Sequence, residues 1–529
     1  MARVVVVGGS FGGMAAAARL AKLGHQVTLY ERAADLGGGL RPIRQDGFTW
    51  DTGPTTLTLP AVVRDLFRKS GRPLERVVEL QPLSPGRRHV FPDGSELDLP
   101  MGTRTDQVDA LTAAFGGHAA DIWAGYLDRL GPAWEILRRR TLESPFDGRE
   151  SIPNGEWKAL QPRRSLRRHF SRHARSVRDE RLSAMLLDRH RLAGQDPQAL
   201  PAFMGVVEYV ERSFGRWRVV GGVHALVAAL EQRLGERGVD VITGSLVEDV
   251  AVDSGAVSGV VLADGRNVAA DVVVWAAPRR PSALGPDRGL TPAIPAGRTY
   301  LGLEGDVPRL PAETFVHGAP LAVIRTGGLA PEGQHAWSIE HQIDSGDILV
   351  SLARRRIDLR SLVVSRLDRS PSEIVGARGA SPAGVAWAGW RTGLRRDRPR
   401  TEVSGCSGSD RTYIRARVWS RPASAPRRWR RRSGRRLGAS PARRARRRLP
   451  PVCVPHIRHV ARQTTRTGRE AGTNHTEPDT ITAKLRLAYD WRTVSRDREG
   501  APELGGAVVV MPLVAQAADD RPEVVRILD

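Results

Sequence analysis

The chain has 529 residues, 40% of them hydrophobic, and a formal net charge of +23. That length exceeds what one compact core supports, so two or more domains are expected, and the apolar content indicates a globular body. No run of about eighteen apolar residues occurs, so no spanning helix is expected, and the two cysteines, Cys406 and Cys453, exclude a disulfide framework and a spaced Cys/His metal site. This cysteine usage suits the cytoplasm.

The charge is unevenly distributed. Residues 1–405 hold 54 basic and 46 acidic side chains, a net of +8, whereas residues 406–529 hold 27 and 12, a net of +15. Within 406–469 there are twenty arginines, no lysine and one acid, Asp410. Basic nucleic-acid arms mix Lys with Arg beside a recognisable fold. This stretch has neither feature, so no specific nucleic-acid partner is expected.

In chain order, Val4–Val7 is a buried strand, Gly8-Gly9-Ser10-Phe11-Gly12-Gly13 a glycine turn, Met14–Leu20 a small-residue helix, and Val27–Tyr30 a second strand ending at Glu31. The strand is too short and too soon interrupted by glycine to be a signal peptide. Glycines let the backbone approach a pyrophosphate, whose charge sits at a helix N-terminus, and an acid about twenty residues on accepts ribose hydroxyls. The alternative is a tight turn that binds nothing. Ser10 stands where the middle glycine usually sits, at some cost in approach distance.

Gly37-Gly38-Gly39 follows, then a strand around Phe48 and Trp50 and a turn at Gly53-Pro54. A helix begins over Leu59–Leu66. Val90-Phe91 and Leu97–Leu99 flank Pro92-Asp93-Gly94 as a hairpin. From Asp106 to Arg191 the pattern is mostly helical, with apolar positions at Leu111, Phe115, Ile122, Trp123, Tyr126, Leu130, Trp134 and Leu137. The run Arg163–Arg191 reads as the solvated face of helices in preference to a binding surface. Trp217–Gly222 leads into a helix over Val223–Leu234. Val239–Ile242 and Ser245–Val250 are strands, Val257–Leu262 and Val268 make a hairpin, and Asp271–Ala277 is a last buried strand. The fold class is therefore α/β: a split Rossmann-like domain with a parallel sheet and a β meander.

These residues resemble the FAD-dependent carotenoid desaturases, typified by bacterial phytoene desaturase, with isomerases and amine oxidases further out. The resemblance covers roughly residues 1–405 and rests on Gly8–Gly13, Glu31, Gly37-Gly38, Gly47-Phe48, Asp51-Thr52-Gly53-Pro54, Gly221-Gly222 and Val247. It implies FAD as cofactor. Gly8, Ser10, Gly12 and Gly13 would hold the pyrophosphate, with Gly37 and Gly38 beside it; Glu31 would hold the ribose, and Val247 would contact the adenine through its backbone. An arginine commonly follows the paired glycines where this chain has Gly39, so Arg41 is the expected substitute. No catalytic acid or base stands out; Asp51 and Glu208 read as structural.

The resemblance also implies the organisation. The FAD-binding domain takes residues 1–60 and 206–285. A mostly helical or mixed substrate domain takes 61–205 and 286–380. Residues 381–405 begin a C-terminal FAD-binding segment, and 406–529 form an aberrant basic tail expected to be disordered. The implied substrate is a long hydrophobic polyene reached by peripheral membrane contact through basic helices within 106–191. A flavin amine oxidase on another apolar substrate, and a non-enzymatic anion or nucleic-acid binder using the tail, are the competing readings.

The family's closing flavin motif, V-G-x-x-x-H-P-G-x-G-L, should follow Gly405, but Cys406–Trp419 does not match it. Read one base earlier, the required codons, with Ser as TCN and Arg as CGN, permit L-F-W-V-G-S-D-V-H-P-G-A-G-L-V. The junction of Tyr413 and Ile414 allows His or Tyr, and that of Trp419 and Ser420 forces Val. This implies a reading-frame shift at about residue 405, so the activity implied by the resemblance is that of the family's unshifted chain; an authentic Arg-rich extension is the alternative. The apolar segment Gly505–Val514 is expected to form a stray strand or to promote aggregation.

Overall fold

The computed structural model describes residues 1–395 except 145, 147, 178, 286–288 and 343–345, together with the backbone of three short strands, Cys406–Gly408, Ala507–Val510 and Val525–Leu528. All of these belong to one compact unit, Met1–Ser420 with Gly505–Asp529. Most of the tail expected to be disordered, residues 409–506, 511–524 and 529, lies outside the described residues, but Cys406–Gly408, expected within that tail, is a strand of the central sheet.

A five-stranded sheet forms the base of the site. Its central strand β1 (Arg3–Val7) is flanked by β2 (Gln26–Tyr30) and Val272–Trp275, with Asp240–Ile242 and Cys406–Gly408 outermost. Every pairing is parallel, with Val4 opposite both Val27 and Val272. Parallel strands covered on both faces read as continuous apolar runs, which is why Val4–Val7 shows no alternation. Burial divides the run all the same. Val4 and Val6 face the helices α1 (Phe11–Lys22) and His224–Glu236, while Val5 and Val7 face Val247, Val250, Val260 and Leu262 of a three-stranded meander. Each such buried valine contributes about 1.5–3 kcal/mol relative to exposure. In α1, Ala15–Ala18 are fully buried, and their small side chains let the helix lie close on the sheet.

A second sheet of seven strands stands apart from the first. Its order is Val363–Arg369, Gly297–Glu304, Gln334–His341, Ala322–Gly328, Glu313–Val316, Arg87–Val90 and Glu96–Leu99. All neighbours are antiparallel except Glu313–Val316 with Arg87–Val90. Five of its strands lie within residues 286–380, so the substrate body, which also holds the helices over 104–192, is mixed, as expected. Helices over 104–192 pack on the sheet's edge, burying Leu111, Trp123, Tyr126 and Leu127 against Phe91, Leu97 and Leu99. The Arg163–Arg191 run divides. Arg167, Arg168, Arg172 and Arg175 are exposed, whereas Arg189 is buried. Ala507–Val510, within the apolar segment 505–514, is a strand paired with Val525–Leu528. Among the described residues no helix is long and apolar enough to cross a membrane.

Candidate functional site

The glycine turn between β1 and α1 is held by specific bonds. Gly8 sits at φ +104°, donates from its N–H to the Tyr30 carbonyl at 2.8 Å, and has no room for a side chain, since a Cβ would lie 2.8 Å from the Ala276 oxygen. A Cβ on Gly13 would lie 2.0 Å from the Gly8 oxygen, so the first turn of α1 folds directly over the loop. Ser10 is the N-cap of α1, and its Oγ accepts from the Gly13 N–H at 3.3 Å. Its side chain therefore turns back onto the helix. The opening N–H groups of a helix have no intrahelical partner and carry the positive end of its dipole, which is the donor set a pyrophosphate needs.

Gly37 and Gly38 close the other side. The Gly37 N–H donates to the Gly9 carbonyl at 2.7 Å, and Gly37 bridges Ser10 in parallel. A Cβ on Gly38 would meet Ser10 Cα and Cβ at 3.1 Å. Two segments 27 residues apart thus form one cradle, whose positions 8, 13, 37 and 38 leave no room for a side chain.

Glu31, at the end of β2, fastens this cradle. Its Oε2 accepts from the Gly9 N–H at 2.7 Å and its Oε1 from the Ala33 N–H at 2.9 Å. A carboxylate has about four acceptor positions, so two remain for ribose hydroxyls. The Glu31 carbonyl accepts from the Ser245 N–H at 2.9 Å, which brings the start of the meander, with buried Val247, alongside. Gly8, Ser10, Gly12, Gly13, Gly37, Gly38, Glu31 and Val247 therefore gather around one end of the parallel sheet. They fit a dinucleotide: a glycine-rich loop, a helix N-terminus and an acid at the second strand.

Arg41 is half-buried, its stem packed near Gly37 and its carbonyl accepting from Thr52 Oγ1 at 2.7 Å. A different arginine reaches the space beside Gly39. Arg378, from the helix Pro371–Arg378, donates to the Gly39 carbonyl at 3.4 Å and to the Thr52 carbonyl, and a Cβ on Gly39 would lie 3.6 Å from its Nη1. Nothing in the sequence signals this approach. Asp51 caps the helix His224–Glu236, accepting from the Val223 N–H and His224 Nδ1, both at 2.9 Å.

Against the seven-stranded sheet lies a cavity of about 60 Å³. Gly53, Pro54, Leu192, Phe315 and Val323 give it apolar walls, and Arg189, Arg298, Arg325, Arg378 and Glu340 line the remainder. Behind it runs a buried ion network. Arg189 pairs with Glu208 at 2.7 Å and Glu211 at 3.0 Å; Arg87 pairs with Glu211 at 3.1 Å and Glu313 at 2.7 Å. Glu313 also receives Arg216 at 2.5 Å and Arg325 at 3.3 Å, while Glu340 receives Arg325 at 3.0 Å and Arg298. Glu208 is thus occupied structurally. Burial alone would raise the Glu340 carboxyl, but Arg298 and Arg325 outweigh it and hold it down to about 2. Burial pushes Arg378 down to about 10, and the nearby Arg298 adds to this. A second buried chain runs from Asp188 Oδ2 to His317 Nδ1 and from His317 Nε2 to His89 Nδ1, both steps 2.8 Å. Among the described residues no cluster of three or more His, Cys, Asp or Glu could hold a metal ion.

Comparison with known proteins agrees with this geometry. The family model of flavin containing amine oxidoreductase matches residues 11–300. The zeta-carotene-forming phytoene desaturase of Myxococcus xanthus is 34% identical over 280 residues, 51% of this chain and 52% of that one. A 4,4'-diapolycopene oxygenase of Methylomonas sp is 30% identical over 290 residues, 51% and 55% of the two chains. The chain spans about half the length of the curated relatives it matches. Among solved structures, putrescine oxidase superposes with a TM-score of 0.52 at 15% identity, over 77% of this chain and 92% of that one, a likeness of fold alone.

Proposed function

This chain belongs to the flavin-containing amine oxidoreductase family, and from that premise we propose that it is an FAD-dependent oxidoreductase of the desaturase type, acting on a long apolar polyene. The observation that carries the proposal is the cradle of Gly8–Gly13 and Gly37-Gly38 fastened by Glu31. The activities for which the matched relatives are named, phytoene desaturation and diapolycopene oxygenation, supply the substrate class.

When bound, the flavin supplies a hydride acceptor. The chain's own part is to bind and orient. The α1 N-terminus and the glycine-rich loop hold the pyrophosphate and Glu31 holds the ribose, while Leu192, Phe315 and Val323 give the cavity beside the seven-stranded sheet an apolar wall. A hydrocarbon has no polar handle, and it needs no convergent acid–base pair among the described residues. Its solubility requires collection from a membrane. The helix Leu166–His173 buries Leu166 and Phe170 and exposes Arg167, Arg168 and Arg172, a basic face suited to anionic headgroups at the membrane surface.

The test uses the purified full chain reconstituted with FAD. Incubation with phytoene in liposomes should give products absorbing at longer wavelength, and incubation with putrescine should give none. Peroxide from putrescine without polyene products would assign an amine oxidase instead, and failure to retain any flavin would overturn the cofactor reading.

A further inference from the structure

A buried polar chain outside the nucleotide cradle ties the helix Glu180–Leu192 to the seven-stranded sheet. Asp188 Oδ2 accepts from His317 Nδ1 at 2.8 Å, and His317 Nε2 meets His89 Nδ1 at 2.8 Å. All three side chains are buried, and the other Asp188 oxygen pairs with Arg191, which is exposed. The hydrogen bonds assign the tautomers. Asp188 as a carboxylate only accepts, so His317 carries its hydrogen on Nδ1. In its neutral form His317 then accepts at Nε2 from the His89 Nδ1–H, which leaves His89 Nε2 a bare acceptor. That atom is buried and has no hydrogen-bond partner. Burial holds His89 well below the ordinary imidazole range, and His317 and Arg87 add to this, so the chain ends in an uncharged ring.

Aromatic rings stack on these histidines, Phe91 on His317 at 4.8 Å and Phe315 on His89 at 5.9 Å. Packing alone would be served by more such hydrocarbon, because a buried acceptor left unmet costs stability. What a hydrogen bond adds is direction. Apolar surfaces slide past one another, whereas this chain closes at one spacing. Its place shows what is being spaced. Asp188 and Leu192 lie four residues apart on one face of their helix, and Phe315 and His317 two apart on one face of the sheet. Leu192 and Phe315 pack together and line the apolar wall of the cavity. The chain thus grips helix and sheet one helical turn from where they meet at that wall.

We propose that Asp188, His317 and His89 are positioning residues that fix the spacing of this helix from the sheet, and so set the girth of the apolar body that can lie against Leu192 and Phe315. This rests on the polyene reading above and adds selection by width: an acyclic chain is admitted and a ring-ended one is disfavoured.

The test compares the full wild-type chain, reconstituted with FAD, with Asp188→Leu/His317→Phe, which removes the clasp and keeps apolar volume, so that Tm should stay near wild type. Lycopene, an acyclic polyene, and β-carotene, its ring-ended isomer, are titrated in liposomes by quenching of tryptophan fluorescence. Wild type should prefer lycopene by on the order of tenfold, and the double variant should lose most of that preference by binding β-carotene more tightly. A role in stability alone leaves the preference intact; that result would overturn the proposal, as would equal binding of the two by wild type. Amide hydrogen exchange gives a second reading, since at equal Tm the double variant should exchange faster over residues 180–192. If neither polyene binds wild type, the polyene reading falls and exchange alone decides the clasp, with unchanged protection overturning it. Asp188→Asn, which keeps the size and loses the charge, replaces the double variant if that does not fold, with a smaller shift in the same direction expected. Nitrogen-15 histidine spectra of wild type should show hydrogen on Nδ1 of His317 and His89 and a bare Nε2 on His89; hydrogen on Nε2 of both with none on Nδ1 would refute the chain.

Discussion

Replacing Glu31 by alanine separates two roles that one carboxylate performs. Its oxygens accept from the Gly9 N–H at 2.7 Å and the Ala33 N–H at 2.9 Å, which ties the glycine turn to the end of β2. Its remaining lone pairs are available to ribose hydroxyls. Bonds to a charged acceptor contribute about 1.5–3 kcal/mol each. Losing the ribose contribution should weaken FAD binding by on the order of tenfold to a hundredfold. Loss of the backbone pair is a separate, partly exposed effect and should lower Tm of the apoprotein. Flavin fluorescence titration reads the first and thermal unfolding without flavin the second. A lowered Tm with unchanged FAD affinity would show that Glu31 only staples the loop. Unchanged values in both measurements would refute the reasoning. Glu31→Gln sharpens the test, because its amide must set an NH₂ against one of two backbone donors.

Two further outcomes follow from the same geometry. Gly13→Ala places a Cβ 2.0 Å from the Gly8 carbonyl oxygen; the cradle must open, at about 1–3 kcal/mol or more, and flavin retained on purification should fall sharply, whereas Gly24→Ala, which meets nothing within 4 Å, should bind FAD normally despite its positive φ. Glu340 titrates in the wild-type fold near 2 against an ordinary 4.5, so its stabilisation is complete above about pH 4.5 and is lost as pH falls toward 2. Its removal in Glu340→Gln should cost about 3–5 kcal/mol at pH 7 by stranding Arg298 and Arg325, and should remove up to about 1.4 kcal/mol per pH unit from the acid slope of stability; denaturant melts between pH 2 and 5 that keep the wild-type slope would refute the pairing.

The nucleotide-binding sheet was legible because each of its parts has a local cause. Val4–Val7 is apolar on both faces, Gly8 and Gly13 have no space for a side chain, and Glu31 ends its strand where the chain returns. What could not be read is the set of bonds Glu31 makes to Gly9 and Ala33, since these depend on the turn closing. Of the seven-stranded sheet only the hairpin Arg87–Val90 with Glu96–Leu99 was read, and the other five strands were missed for a different reason. Gly297–Glu304 is buried along most of its length, so it lacks alternation, and Arg298, Arg325 and Glu340 interrupt the apolar pattern of their strands with charges that only the fold pairs. Arg189 was hidden in the same way inside a run of arginines that otherwise faces solvent.

Those paired charges also bear on what the second sheet is for. Buried ion pairs are a poor source of stability, since apolar residues of similar volume often serve as well. An explanation from stability alone therefore does not account for five arginines joined in one network. Position does better. The network joins the helices Glu180–Leu192 and Val206–Phe214 to the strands carrying Arg87, Glu313, Arg325 and Glu340, and so fixes the wall in which Arg298 is held. Arg378 arrives from outside the network, beside the glycine where an arginine was expected and is missing. A guanidinium is thus restored next to the cradle from a point 339 residues further along the chain. That return of charge to one place, by a different route through the fold, is what a site with a requirement for it would show.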